Sequence, residues 1–86
     1  MKYILFEHPS DPIPTVRIFD DITSHNEVRA EVQSGKPGLS VLSAGKIWIK
    51  GDEITCVHQS VSLGISFDEE MGACAAATIK SLLKDR

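Results

Sequence analysis

The stretch that decides the fold is residues 46–57, KIWIKGDEITCV. Two runs of β-forming residues flank Gly51 and Asp52, and glycine takes without strain the positive φ that opens a two-residue type II′ turn. A hairpin about this turn fixes which residues lie opposite one another. The predicted pairs are Lys50 with Glu53, Ile49 with Ile54, Trp48 with Thr55, Ile47 with Cys56, and Lys46 with Val57.

Four further segments have the composition of strands. Residues 2–7 and 15–19 are rich in β-formers, and the HPSDPIP run between them carries three prolines and predicts a loop. Residues 39–44 and 61–65 complete the set, the latter by alternating apolar with small residues. The apolar residues of the latter segment have odd numbers, whereas Ile54 and Cys56, which face the core in the preceding strand, have even numbers. Both sets can reach one core only if the strand is interrupted, so we expect a bulge, bend or turn near residues 59–60.

Two capping boxes predict two helices. Ser24 with Glu27 opens a short helix that Gly35 is placed to end, and Ser66 with Glu69 opens the longest helix, which runs to the end of the chain. The small residues of GACAAATI in that helix allow close approach to a neighbour, either the sheet or a second chain, and we favour the sheet. The predicted inward face consists of Phe67, Met71, Cys74, Ala75, Thr78 and Leu82.

The resulting order is ββα-βββ-α, in a chain of 86 residues. This length has material for one core, so we predict a single α+β domain over residues 1–86. The strands are expected to form a mainly antiparallel sheet of four or five, with two helices on one face, which gives two layers.

Charge and cysteine content limit the functional classes. Nine basic against twelve acidic residues give a net charge of −3, which offers a phosphate backbone no long-range attraction, so no nucleic-acid partner is expected. No segment approaches the roughly 20 apolar residues of a membrane span, so no membrane partner is expected. Two cysteines are too few for a disulfide framework, which predicts a cytoplasmic location.

Cys56 and His58 are the candidate catalytic residues. They are two apart on a strand, so their side chains lie on one side and could act as nucleophile and base. The hairpin register places Cys56 on the apolar face, however, where a thiol is not activated, and this favours a structural role. The pair supplies two metal ligands, whereas zinc takes three or four from the protein. The other candidates, His8, His25 and Cys74, are not spaced as ligands are, so no metal or cofactor is predicted.

Trp48 is the candidate partner-binding residue. If both helices cover the face of Ile47, then Trp48 lies on the opposite face with Val57, flanked by Lys46 and Lys50. An exposed aromatic residue framed by charge is typical of a protein-binding surface. The alternative is a tryptophan that lies flat on its own sheet under the lysine stems, and the sequence leaves both open.

In the second half of the chain, residues 43–49 (SAGKIWI), residues 54–66 (ITCVHQSVSLGIS) and the acidic opening of the last helix form a distinctive series. This series resembles a group of short uncharacterised bacterial and prophage-encoded proteins. The resemblance implies a phage-related context and no known activity, and the closing helix here is much richer in alanine. The matching positions are Ser43, Ala44, Gly45, Cys56, Ser60, Ser62, Leu63 and Gly64.

These observations predict a small non-enzymatic interaction or adaptor protein, working by self-association as a homodimer or by binding another protein. A small enzyme that uses Cys56 and His58 is the alternative from a different class. A nucleic-acid-linked regulator is the third.

Overall fold

The computed structural model describes residues 1–84. It shows an α+β fold in which five antiparallel strands form one open sheet in the order β2-β1-β3-β4-β5. The predicted element order and antiparallel sheet are confirmed. The elements are β1 (Lys2–His8), β2 (Asp11–Phe19), α1 (His25–Gly35), β3 (Ser40–Lys50), β4 (Glu53–Ser60), β5 (Ile65–Asp68) and α2 (Glu69–Lys84).

The predicted hairpin is confirmed in register and in turn type. All five predicted pairs join β3 to β4. Gly51 has a φ of 60°. Within residues 1–84 only glycines have a positive φ, so Asp52 has a negative φ, and a type II′ turn requires this combination. The first of the two capping boxes is also confirmed, because Ser24 Oγ accepts the amide of Glu27 at 3.2 Å.

Replacing Gly51 by valine should destabilise the fold by about 1 kcal/mol or more, because a β-branched residue resists positive φ. Asparagine at the same position should cost less, because it tolerates this region of φ. Thermal unfolding of both variants measures the difference. Equal melting temperatures for wild type and Gly51→Val would contradict the turn assignment.

Strand β1 is buried on both of its faces and creates two hydrophobic cores. Tyr3 and Leu5 face one side, and Ile4 and Phe6 face the other, each at most 1% exposed. The α2 face of the sheet is defined by Tyr3, Leu5, Ile47 and Cys56, which pack with Ala75 and Ile79 of α2. The α1 face is defined by Ile4, Phe6 and Ala44, which pack with Leu39 and with Val28 of α1.

The prediction that both helices cover one face is therefore wrong. Each helix covers its own face of the sheet, which gives three layers rather than two. The physical reason lies in residues 3–6, YILF, four consecutive apolar side chains. Because neighbouring side chains on a strand point to opposite faces, such a run needs cover on both sides.

The predicted loop HPSDPIP is largely strand. The reversal takes only residues 9–10, and β2 begins at Asp11. Strand β2 is an edge strand, where a proline's missing N–H need not break a ladder of hydrogen bonds.

The predicted strand over residues 61–65 is also wrong, although the irregularity expected near residues 59–60 is present. The register of β4 against β5 shifts between His58 and Ser60, and residues 61–64 form a turn. Val61 is 94% exposed at this turn. Of the two apolar side chains in this turn, Val61 faces solvent and Leu63 packs against the core of the α1 face, so the turn has the alternation of a strand without its pairing.

The predicted capping box of Ser66 with Glu69 is wrong, because α2 begins at Glu69. The predicted inward face is correct only in part, since Ala75 and Leu82 do pack in the core. The first turn of α2 is capped by Asp68, whose Oδ1 accepts the amide of Met71 at 3.0 Å, because residues 65–68 form β5. Phe67 and Cys74, expected to face the sheet, are exposed. The predicted last residues of this helix, 85–86, lie outside the described residues.

Small residues do bring α2 close to the sheet, as expected for GACAAATI. The buried residues of α2 include Gly72, Ala75 and Ile79. A Cβ added to Gly72 would lie 2.7 Å from the carbonyl oxygen of Cys56. The helix therefore rests on the backbone of β4.

Candidate partner-binding groove

A groove of about 530 Å³ lies on the α1 face, beside the start of α1. We call it the Trp48 groove. Its lining includes Lys2, Lys46, Trp48, Val57, Val61 and Ser62.

Trp48 is exposed because α1 covers only part of its face. Trp48 lies four residues along β3 from Ala44, on the same side of the strand, and four residues span about 13 Å. Ala44 is fully buried in the core beneath α1, whereas Trp48 is 52% exposed. The side chain thus stands beyond the helix, on uncovered sheet.

The structure brings together three of the four residues predicted to bind a partner. Trp48, Lys46 and Val57 all line the groove. Lys50 does not line it; this residue lies next to the turn, opposite Glu53. The exposed Val61, which was predicted to lie in a strand, adds an apolar side chain.

The charge of the groove differs in sign from that of the chain. The lining contains two lysines and no carboxylate, whereas the chain carries a net charge of −3. Lys2 is held in place because its Nζ donates to the carbonyl oxygen of Thr23 at 3.0 Å. Lys46 is exposed and makes no ion pair or side-chain hydrogen bond with any residue between 1 and 84.

His25 lines the groove and is held by two hydrogen bonds. Its Nε2 lies 2.9 Å from the carbonyl oxygen of Gly45, and its Nδ1 lies 2.9 Å from Ser60 Oγ. A carbonyl can only accept, so Nε2 carries the proton and Nδ1 accepts from the Ser60 hydroxyl. The ring meets Phe19 edge-on at 5.5 Å. The first residue of α1 is therefore tied to β3 and to the end of β4.

A second contact joins α1 to the turn after β4. The amide of Asn26 donates to Ser62 Oγ at 3.2 Å. Since Ser62 and Val61 are neighbours in this turn, the contact joins the turn that carries Val61 to the start of α1. Sequence reasoning missed the roles of His25, Ser60 and Ser62, because these contacts join residues far apart in the chain and no local pattern encodes them.

Burial lowers the pKa of His25, which keeps the ring neutral at neutral pH. In the unfolded chain the same ring has an ordinary pKa near 6.5, so the unfolded state binds the proton more readily. The stabilising contribution is complete above that value and is lost as the pH falls towards the lowered pKa of the folded state. We expect wild-type stability to decrease from pH 7 to pH 5 more steeply than that of His25→Asn.

Urea unfolding of both proteins across this range measures the two slopes. The variant will be less stable throughout, because the hydroxyl of Ser60 and the carbonyl of Gly45 lose their partner. The slope, rather than the absolute stability, carries the test. Parallel curves for the two proteins would show that His25 does not titrate differently in the folded state.

Cys56 and His58 lie on the α2 face, as predicted, but do not interact. Cys56 is buried, and burial raises the pKa of its thiol to about 11. No hydrogen bond joins the two side chains within the part of the chain that the structure describes, and His58 Nδ1 lies 2.7 Å from Ser43 Oγ instead. These observations favour the structural interpretation of the pair.

A chain of hydrogen bonds links His58 to the core. Tyr3 Oη lies 2.7 Å from Ser43 Oγ, and burial raises the pKa of Tyr3 to about 12. Tyr3 therefore keeps its proton, and Ser43 Oγ lies within hydrogen-bond distance of both Tyr3 Oη and His58 Nδ1. The chain satisfies a buried hydroxyl and was not predictable from residues so far apart.

Thiol labelling tests the structural role of Cys56. In Cys74→Ser, which removes the exposed thiol, we expect Cys56 to react with a disulfide reagent only on unfolding, because the thiolate is the reactive form. The wild-type protein should show one fast thiol, Cys74, and one protected thiol. Rapid labelling of folded Cys74→Ser at neutral pH would restore the enzyme hypothesis.

The described residues contain no group of three or more His, Cys, Asp or Glu side chains placed to hold a metal ion. Among the helices of residues 1–84, none is both long and apolar enough to cross a membrane. Comparisons with protein-family models, with curated proteins and with solved structures found no match for this chain.

Proposed function

We propose that this protein is a non-enzymatic interaction protein that binds another protein chain in the Trp48 groove. The observation that carries the proposal is a large aromatic side chain, 52% exposed, on a sheet face that α1 leaves uncovered. Tryptophan is among the residues that contribute most to protein–protein binding, because its large surface is desolvated at little entropic cost.

The contacts that hold the elements around the groove together support the proposal. Trp48 stands on the longest strand, in the middle of a confirmed hairpin, and His25 and Ser62 tie the adjacent helix and turn to the sheet. A preformed surface binds with less loss of conformational freedom than a loop that must be ordered. Val57 and Val61 add apolar surface to the same groove.

The enzyme alternative lacks such support. The thiol of Cys56 is buried and its pKa is raised, and its side chain makes no contact with His58 that would activate it. Both described cysteines are free, which suits the reducing cytoplasm proposed as the location. The prophage-related context rests on the sequence resemblance alone and is proposed on that basis.

Selection from a random peptide library tests the function. The library is panned on the wild-type protein and depleted on Trp48→Asp, so that only peptides dependent on Trp48 are retained. We expect enrichment of a related set of sequences. A selection that enriches no sequence once the peptides that bind Trp48→Asp are removed would contradict the proposal, provided that circular dichroism shows the variant to be folded.

A further inference from the structure

Building on the proposed function, we infer that the partner of the Trp48 groove is an acidic polypeptide segment that carries an apolar side chain. The apolar side chain packs on Trp48 and Val57, and the acidic side chains pair with Lys2 and Lys46. The charge of the groove selects this partner over the other occupants of an aromatic surface.

The positive charge is concentrated at one end of the groove. Lys2 Nζ is held at the carbonyl of Thr23, next to Ser24, the N-cap of α1. The amino end of a helix carries partial positive charge, which adds to that of the lysine. Two carboxylates lie nearby without lining the groove. Glu27 turns back to Ser24 Oγ at 3.4 Å. Asp20, which lies within electrostatic range of Lys2, accepts the amides of Ile22 and Thr23.

A second copy of the chain fits this surface poorly. In a symmetric dimer the same patch meets itself, so the interface would hold Lys2 and Lys46 of both copies and no carboxylate from the lining of either groove. Like charges brought together across an interface oppose association. The groove therefore favours a partner of opposite charge, and we expect the purified protein to be monomeric through this surface.

Single-stranded nucleic acid is the other negatively charged occupant of an aromatic groove with lysines. Such binding uses a basic channel that follows several phosphates. Here only two lysines line the groove, and the net charge of −3 opposes the approach of a long polyanion. A short acidic peptide needs fewer ion pairs and gains more from the apolar part of the surface.

The test uses three synthetic peptides with the same two central leucines, flanked by Asp and Glu, by Asn and Gln, or by Lys. The emission of Trp48, the single tryptophan of the chain, reports their binding. We expect the acidic peptide to bind about fivefold or more tightly than the neutral one, since each exposed ion pair is worth up to about 1 kcal/mol. The lysine peptide should bind most weakly.

Charge reversal supplies the matched comparison. Lys46→Glu should weaken the acidic peptide about fivefold and strengthen the lysine peptide, because the sign of the contact is reversed. Lys80→Glu makes the same change in net charge on α2, outside the groove, and should leave the order of affinities unchanged. Both lysines are exposed, so each variant should fold, which circular dichroism checks.

Each outcome has a defined meaning. Equal affinity for the three peptides, lost in Trp48→Ala when binding is measured by isothermal titration calorimetry, would overturn the acidic class while leaving the proposed function intact. Tighter binding of an oligothymidylate than of the acidic peptide would overturn the inference in favour of nucleic acid. Absence of binding by the acidic peptide would overturn it outright, whereas the library selection judges the proposed function separately.

Discussion

Replacing Gly45 by alanine is expected to destabilise the protein by about 3 kcal/mol or more, because the added methyl group has no space between two paired strands. A Cβ at this position would overlap the carbonyl oxygen of Val57 and lie 2.8 Å from its carbonyl carbon and 2.9 Å from the amide nitrogen of Gln59. All three are backbone atoms of β4, so no side chain can turn away to make room. Strands β3 and β4 would have to separate.

The same residue also supports the groove. The carbonyl of Gly45 accepts from His25 Nε2, so a shift of β3 would loosen the start of α1. Gly35→Ala is the matched control, because its Cβ would meet no atom within 4 Å. We expect that variant to be neutral or slightly stabilised, since alanine restricts the unfolded chain.

Urea unfolding of the two glycine variants measures both effects. If Gly45→Ala is as stable as the wild-type protein, the close approach of β3 and β4 is wrong, and so is the position of His25. A large loss of stability in Gly35→Ala would show that the effect of replacing glycine in this chain does not depend on the space available for the added Cβ.

Trp48→Ala is expected to weaken binding of a selected peptide by about 2 kcal/mol or more, a loss of roughly thirtyfold in affinity. The melting temperature should change by only a few degrees, because a side chain that is half exposed contributes little to the core. Isothermal titration calorimetry gives the affinity, and thermal unfolding gives the stability.

Phe67→Ala is the matched control for this variant. Phe67 is also an exposed aromatic residue, 59% accessible, and it does not line the Trp48 groove. The Phe67→Ala protein should bind the peptide as the wild type does. Unfolding of Trp48→Ala would place the ring in the core, and equal losses in the two variants would point to a general effect of removing aromatic surface.

The hairpin was predictable because its determinants are local. One glycine with a φ of 60° and five compatible pairs fix its register without help from the rest of the chain. The helix at Ser24 was predictable for the same reason, since a capping box acts within one turn.

The faces of the sheet were not predicted correctly, because they depend on how distant elements pack. The continuous apolar run of β1 carried the signal that both faces are buried, but its pairing with β3 could not be read from sequence separation. The alternating pattern at residues 61–65 misled for another reason. A turn with an exposed valine has the same periodicity as a half-buried strand over so few residues.

An exposed Trp48 was one of the two interpretations that the sequence left open, and it rested on a premise that proved wrong. Trp48 lies on the face opposite α2, as the register requires, but the same face carries α1. Its exposure follows from the short reach of α1 along β3. The contacts of His25 with Gly45 and Ser60, which shape the groove, join residues 20 and 35 positions apart and leave no trace in a single sequence.

Acrylamide quenching of the single tryptophan tests most directly whether the Trp48 groove is a docking surface. The account predicts strong quenching in the free protein, where the ring is half exposed, and clear protection when a selected peptide is bound at saturation. Emission that is already protected in the free protein, or quenching that the bound peptide leaves unchanged, would contradict it.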